Sequence, residues 1–363
     1  MNRIDHTRRT VLGAGLGAIL TGQAAFAADP LKQSAESSNQ LNVYSVLSNK
    51  AAAPLLEAFS KRHPGIDLRY DGDSGSTEIY ERYLQEVSAG QDSADVMWSS
   101  AMDLQIDLVK RGHARKLALR GTENFPAWSH FDDSVWGTTM EPIGFVFNKS
   151  LMNPAEVPKT RAALTRWLNE NRAALQGKVA LFDIEKSGVG FQFIAWDYRY
   201  GPDADTLLEA LGRVNPLRTS GTGEMLKAVH EGRCLMGYNV ITSYALSRSR
   251  KDLQNLAVVY PQDYTVGLSR LMFISRHSRR PAAAQLWAEF VLSREGQGTL
   301  SQSLELASLH KAVEGVNTLK ALEAKIGPAL RPVEVNAALS KHLEPQQAAE
   351  LRQRWAQAFG PAR

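Results

Sequence analysis

Residues 41–62 have the sequence LNVYSVLSNKAAAPLLEAFSKR, a short apolar stretch followed by an amphipathic one. The first part, Leu41 to Val46, predicts a β-strand. The second, Ala51 to Arg62, predicts a helix because its apolar side chains recur at helical spacing. The helix is expected to end at His63-Pro64-Gly65, since proline cannot continue it. A strand that leads through a polar loop into a helix is the repeating unit of an α/β fold.

The same unit recurs along most of the chain. Further strands are predicted at 66–70, 94–98, 178–183, near Leu217 and at 234–239, and further helices at 77–89, 102–111, 161–175, 191–200, 223–231, 281–294 and 345–359. No internal repeat of solenoid period is present. The alternation predicts an α/β protein, and a length of 363 residues favours two lobes over one.

Two extended apolar segments interrupt this alternation and suit strands that pass between lobes. They are 136–148, which contains Glu141 and Pro142, and 256–275. We therefore predict a hinge at Glu141 and Pro142. The resulting division places residues 41–140 and 260–363 in the first lobe and residues 141–259 in the second.

Six junctions that follow predicted strands are rich in Ser, Thr, Gly and Asn. They cover residues 45–49, 73–77, 99–100, 187–190, 219–223 and 239–243. In open α/β sheets, ligands bind beyond the carboxyl ends of the strands. Each following helix directs free N–H groups and a partial positive charge into that space, which suits an anion. At any single junction, the alternative is that the polar side chain only caps its helix.

The beginning of the chain resembles a twin-arginine signal peptide over residues 1–27. Arg8 and Arg9 precede a short, glycine-diluted apolar run, and Ala25-Phe26-Ala27 has the small-x-small pattern of a cleavage site. These features predict export to the periplasm. Cys234 is the only cysteine, so no intramolecular disulfide can form.

Composition and motifs argue against several classes of function. The leader carries a net +2 of the formal +4, so little basic charge remains for nucleic acid. Gly188 and Gly190 lack the third glycine of a dinucleotide motif, and neither H-E-x-x-H nor G-x-S-x-G occurs. We therefore predict no cofactor, no catalytic residue and no enzyme activity.

The chain resembles the bacterial extracellular solute-binding proteins of ABC importers, in the ferric-iron, phosphonate and organophosphate branch. The stretches that carry the resemblance are 94–105, 183–191, 237–244, 260–264 and 290–297. It implies a periplasmic-binding-protein-like fold, with two α/β lobes joined by crossing hinge strands around a ligand. The implied ligand-binding residues are Ser48, Asn49, Ser74, Gly75, Ser76, Thr77, Ser99, Ser100, Ser187, Gly188, Val189, Gly190, Ser220, Gly221, Thr222, Asn239, Tyr264 and Arg270.

The resemblance further implies a monomer that carries a small solute to a permease in the inner membrane. An anionic solute is the preferred hypothesis, because Arg270 can pair with a phosphate or carboxylate; a surface salt bridge is its alternative role. A ferric-ion carrier with Tyr238 as a metal ligand is the second hypothesis. Members that bind iron typically have adjacent tyrosines there, whereas this chain has Gly237-Tyr238-Asn239. An exported hydrolase is the third.

Overall fold

The structure, a computed structural model, describes residues 30–360; the predicted signal peptide lies outside the described residues. In chain order the helices are α1 Pro30–Ser38, α2 Asn49–Arg62, α3 Ser76–Ser88, α4 Met102–Lys110, α5 Arg161–Glu170, α6 Gly188–Tyr200, α7 Ala204–Arg213, α8 Thr222–His230, α9 Thr242–Lys251, α10 Pro281–Leu292, α11 Arg294–Gln302, α12 Leu319–Ile326 and α13 Pro345–Phe359. Short 3-10 helices cover Thr122–Asn124, Ala127–Ser129, Gly327–Ala329 and Ala337–Leu343.

The strands form two sheets. They are β1 Gln40–Ser45, β2 Asp67–Asp71, β3 Val96–Ser99, β4 His130–Phe131, β5 Val135–Gly137, β6 Thr139–Asn148, β7 Val179–Phe182, β8 Leu217–Thr219, β9 Met236–Ile241, β10 Leu256–Val259, β11 Thr265–Leu268, β12 Leu271–Ile274, β13 Ala307–Ser308 and β14 Leu330–Pro332. The first sheet has the order β2-β1-β3-β12-β5-β4. The second has the order β14-β11-β6-β9-β7-β8, with β10 and β13 also paired to β6. The predicted α/β fold with two lobes is confirmed.

The chain passes between the sheets through two short links. Only Thr138 lies between β5 and β6, and only Ser269 and Arg270 lie between β11 and β12. The links are bonded to each other, because the backbone N–H and the hydroxyl of Thr138 both donate to the carbonyl oxygen of Arg270, at 3.0 and 2.8 Å. The predicted hinge is therefore displaced: Glu141 and Pro142 lie inside β6, paired with β11. Pro142 lies within β6 and does not end it.

The C-terminal segment, residues 330–360, crosses between the lobes again. Val333 donates to the carbonyl of Gly267 in β11, at 2.9 Å, and Val335 donates to Trp128 of the first lobe, at 2.8 Å. The following 3-10 helix packs on α4, and α13 packs on α7. The assignment of residues 260–363 as a whole to the first lobe is thus corrected, since β11, β14 and α13 belong with the second sheet.

Aromatic side chains fill the core on each side. In the first lobe, Phe59 and Trp98 both make edge-on contacts with Trp287, at centroid distances of 5.1 and 6.3 Å. In the second, the ring of Phe145 lies 5.5 Å from that of Tyr238. All five side chains are buried. Among the described residues, no helix has the length and apolar character needed to cross a bilayer.

Candidate ligand-binding site

Several of the predicted junction serines cap helices. The hydroxyls of Ser48 and Ser187 accept hydrogen bonds from the backbone N–H three residues later, at 3.3 and 3.1 Å. The Ser99 hydroxyl accepts from the backbone N–H of Ala101, only two residues later, at 3.1 Å, and does not cap α4. These hydroxyls accept hydrogen bonds from the protein backbone. What each junction offers to a ligand is therefore mainly the N-terminus of its helix.

The N-termini of α3 and α6 meet across the two lobes. A Cβ placed on Gly188 would lie 3.0 Å from the hydroxyl of Thr77 and 3.3 Å from that of Ser76, so a side chain here would crowd the contact. A cavity of about 470 Å³ adjoins the contact. It is lined by Gly75, Ser76, Thr77, Glu78, Glu81, Arg82, Gln85, Lys186, Ser187 and Ser220. Five predicted residues from both lobes therefore share one cavity: Gly75, Ser76, Thr77, Ser187 and Ser220.

The remaining junction residues lie at helix starts and tie their loops together. Asn49 accepts from the backbone of Gly72, at 3.0 Å, and its own N–H donates to Asp73, at 3.3 Å. Ser74 donates to Glu78, at 3.3 Å. Val189 and Gly190 belong to the first turn of α6, Gly221 precedes α8, and Thr222 begins α8.

Ser100 lies where α4 of the first lobe touches α6 of the second. The buried side chain of Gln192 donates to the carbonyl of Ser100, at 3.3 Å, and accepts from the backbone N–H of Asp103, at 2.9 Å. His342 of the C-terminal segment lies 2.8 Å from the Asp103 carboxylate. The two lobes are thus bonded directly to each other at α4. The sequence carries no motif that marks Gln192.

Arg270 is fully buried at the link between β11 and β12. Its Nη2 lies 3.3 Å from the carboxylate of Glu141 and donates to the hydroxyl of Tyr244, at 3.0 Å. Its Nε and Nη1 have no hydrogen-bond partner in the described part of the chain. Burial alone lowers the pKa of Arg270, but the Glu141 carboxylate beside it outweighs this effect, and the pKa lies above its ordinary value. The alternative of a surface salt bridge is wrong, because both partners are buried.

The side chains around Arg270 come from both lobes. Glu141 accepts from Thr139, at 2.8 Å, and from Ser243, at 3.4 Å. On the side of the first lobe, Tyr70 donates to the carbonyl of Leu47, at 2.8 Å. Burial raises the pKa of the Tyr70 phenol, which keeps it neutral, and the Tyr244 phenol behaves in the same way. Arg270 therefore lies between the lobes among neutral phenols and one carboxylate.

A second buried network surrounds Asp197 in α6. Its carboxylate accepts hydrogen bonds from Arg161, Tyr238, Asn239 and Tyr264, at 3.1, 2.8, 2.7 and 2.9 Å. Burial, followed by the Asp197 charge, raises the pKa of the Tyr238 phenol well above its ordinary value. Asn239 and Tyr264 therefore bind Asp197 and not Arg270, so the structure does not bring them together with the predicted anion contact.

Local backbone geometry explains why Asn239 turns toward Asp197. Its φ of 52° lies in the left-handed region, and the register of β6 with β9 shifts between Gly144 and Val146, opposite this point. The sequence predicts Asn239 at the end of its strand, whereas β9 continues to Ile241. Over residues 30–360, no group of three or more His, Cys, Asp or Glu side chains is placed to hold a metal ion.

Comparison with known proteins identifies the family. The model of the bacterial extracellular solute-binding proteins matches residues 45–298. The chain belongs to this family. The substrate binding protein of the ABC transporter from Agrobacterium tumefaciens is 33% identical, with a TM-score of 0.84 over 88% of this chain and 94% of that one. The family predicted from the sequence is thus confirmed. No match was found among curated proteins.

More distant solved structures share the fold. The periplasmic binding protein AfuA from Actinobacillus pleuropneumoniae, with exogenous fructose-6-phosphate bound, is 17% identical, with a TM-score of 0.70 over 89% of this chain and 99% of that one. Iron-bound HitA from Pseudomonas aeruginosa is 19% identical, with a TM-score of 0.66 over 88% and 99% of the two chains. These similarities confirm the periplasmic-binding-protein-like fold.

Proposed function

We propose that this chain captures a small anionic solute, such as an organophosphate or phosphonate, between its lobes and delivers it to the permease of an ABC importer. The observation that carries the proposal is the fully buried Arg270, two of whose nitrogens have no partner among residues 30–360. A buried donor without a partner costs about 1–3 kcal/mol, and more when the group is charged. An anion that accepts from Arg270 would remove this penalty.

The helix termini support the same charge of solute. The N-termini of α3 and α6 converge at the contact between Gly188 and Thr77, where their partial positive charges favour an anion. Arg270 lies in a link between the two sheets, and this contact joins α3 of the first lobe to α6 of the second. Membership of the solute-binding family and the ABC-transporter relative from Agrobacterium tumefaciens support the role in import.

The ferric-ion alternative gains less support from the geometry. Tyr238, its candidate ligand, donates to Asp197, at 2.8 Å, and accepts from Arg161, at 3.2 Å. Iron would have to displace a buried network in which each of these groups is already paired. The relative that carries iron is similar in fold alone. We therefore infer that the cargo is anionic.

Substitution of Arg270 tests the proposed contact. A thermal-shift screen with phosphorylated metabolites, phosphonates, sulfate, polyamines and Fe³⁺ identifies a solute that binds. Arg270→Lys keeps the positive charge beside Glu141 but lacks the Nε and Nη1 donors. Affinity for the anionic solute should fall roughly ten- to a hundredfold, because a hydrogen bond to a charged group contributes about 1.5–3 kcal/mol. Isothermal titration calorimetry measures the change.

Arg280 provides the matched control. It is also largely buried, and it pairs with Asp92 and Asp95 in the first lobe, its Nη1 lying 3.0 Å from Asp95. Arg280→Lys should leave the affinity unchanged, although it weakens the fold. If both lysine variants bind the anion as tightly as the unmodified protein does, Arg270 is not the contact. A screen in which only Fe³⁺ stabilises the protein would also overturn the anion proposal.

We also propose that the protein reaches the periplasm through the twin-arginine pathway. Arg8 and Arg9 before a weakly apolar run are the supporting feature. Replacing both by lysine should leave the precursor in the cytoplasm, as measured by immunoblotting of cell fractions. The control is the same double substitution at Arg352 and Arg354, which are exposed on α13. Normal periplasmic accumulation of the Arg8/Arg9 variant would exclude this pathway.

A further inference from the structure

Two basic loops lie at the end of the first lobe that is opposite to Arg270. They are residues 110–116, with the sequence KRGHARK, and residues 275–280, with the sequence SRHSRR. The first follows α4 and the second follows β12. β12 begins at Leu271, which pairs with Ser99 beside the candidate site, and ends directly before the second loop. Both loops therefore lie outside the site described above.

Backbone hydrogen bonds hold the two loops side by side. The N–H of Arg115 donates to the carbonyl of Ile274, at 2.8 Å, and the N–H of Arg276 donates to the carbonyl of His113, at 2.7 Å. The imidazole rings of His113 and His277 consequently lie 5.4 Å apart, centre to centre. A cavity of about 440 Å³ opens beside the first loop. It is lined by Leu84, Gln85, Val87, Ser88, Arg111 and His113.

Neighbouring carboxylates do not balance the positive charge of these loops. Arg111 has a carboxylate partner, since its Nε lies 3.5 Å from Asp107. Within residues 30–360, Lys110, Arg115 and Arg276 form no ion pair. The two loops therefore carry three cations that no carboxylate neutralises, and an anionic ligand would lower this repulsion.

The two imidazoles have ring nitrogens available for a ligand. No side chain or backbone group in the described part of the chain bonds to either ring, and Nδ1 of His113 is buried. Tyr83 of α3 faces His113 edge-on at 5.5 Å, but its hydroxyl is paired with Ser275, at 2.7 Å. A buried nitrogen without a partner is unfavourable unless a ligand or water supplies one.

Charged groups on both loops hold the imidazoles neutral at pH 7. Burial lowers the pKa of His113 and of His277, and the charge of Arg276 lowers both further. Arg111 acts on His113 in the same direction, and Asp107 of α4 acts in the opposite direction. A bound anion would reverse this effect, because it favours the protonated, charged form of each ring.

We propose that these loops form a second anion site, which binds a phosphate group between the guanidinium of Arg276 and the imidazoles of His113 and His277. Guanidinium and imidazolium N–H groups donate strong hydrogen bonds to phosphate oxygens. Two imidazoles can also bind a transition metal, but Arg111 and Arg276 would repel a cation. Among the residues that the structure describes, no third His, Cys, Asp or Glu completes a metal site here.

Inorganic phosphate tests the site on the purified protein by NMR of the imidazole protons. Phosphate at pH 7 should shift the resonances of His113 and His277. It should leave those of His310 in place, because this histidine is buried against Phe125 elsewhere in the first lobe. Sulfate, whose charge is fixed at neutral pH, should raise the pKa of both loop imidazoles by about 1 or more. A histidine with a purely structural role would not respond to either anion.

Arg276→Gln should weaken phosphate binding at this site at least about tenfold, since it removes a charged donor. Arg199→Gln is the matched control, because Arg199 is also exposed and has no ion-pair partner in the described residues. It should leave the affinity unchanged. Both arginines are at the surface, so neither substitution is expected to prevent folding.

Vesicles distinguish a lipid headgroup from a free phosphate. Binding to phosphatidylglycerol vesicles but not to phosphatidylcholine vesicles, with loss of binding in Arg276→Gln, assigns the site to a headgroup. A response to inorganic phosphate without vesicle binding assigns it to free phosphate. Unshifted His113 and His277 resonances with phosphate and no Arg276-dependent vesicle binding would overturn the proposal. An unchanged phosphate affinity in Arg276→Gln, or a response of these imidazoles to Zn²⁺ alone, would also overturn it.

Discussion

Asp197→Ala is expected to lower the free energy of unfolding by about 3–5 kcal/mol, the cost of breaking a buried ion pair from one side. The carboxylate is the common acceptor for Arg161, Tyr238, Asn239 and Tyr264. Its removal leaves three polar side chains without this partner. Within the part of the chain that the structure describes, the Arg161 guanidinium then keeps Asp263 as its one carboxylate, at 3.3 Å. Equilibrium unfolding in urea measures the loss.

Asp205→Ala is the control for this prediction. Asp205 lies on α7, in the same lobe, and also pairs with an arginine, Arg354, at 2.6 Å, but both side chains are exposed. Exposed ion pairs contribute about 0–1 kcal/mol, because water screens them. Asp205→Ala should therefore have a small effect. Similar effects of the two substitutions would mean that the Asp197 network does not stabilise the fold.

The elements of the fold were predictable because their signals are local. The helix predicted from Ala51 to Arg62 begins two residues earlier, at Asn49, because Ser48 caps it. The predicted C-terminal helix, residues 345–359, coincides with α13. Periodicity, caps and helix breakers act over a few residues, so one sequence shows them. Which segment packs on which lobe depends on contacts between residues far apart in the chain, and no local sequence pattern indicates these contacts.

In the candidate site, too, the local features were predictable from the sequence and the long-range contacts were not. The junctions that approach across the cleft, at Thr77 and Gly188, were predictable because each follows a strand and begins a helix. The partner of Arg270 was not, since Glu141 is 129 positions away in the chain. Asp197 is likewise 36 positions from Arg161. No pattern of residue types indicates which buried charges will meet, although a lone arginine in an apolar extended segment signals that a partner is needed.

The packing of α13 shows most clearly which contacts the sequence does not predict. Its apolar stripe predicts a covered face, but not which lobe covers it. In the structure the helix packs on α7, so closely that a side chain on Gly212 would collide with the backbone of Ala358. Trp355 and Leu351 are buried in the core of the second lobe. The last helix therefore packs in the second lobe, whereas the sequence analysis assigned it to the first.

Trp355→Ala is consequently expected to destabilise the protein by about 3–5 kcal/mol, through lost burial and the cavity left behind. Trp355 is 2% exposed, and its ring stacks on Phe359 at a centroid distance of 4.0 Å. Gln353→Ala, on the exposed face of the same helix, should change stability by less than about 0.5 kcal/mol. Urea unfolding measures both, and hydrogen exchange should show faster exchange in α7 for Trp355→Ala alone. Unchanged exchange in α7 would contradict this packing.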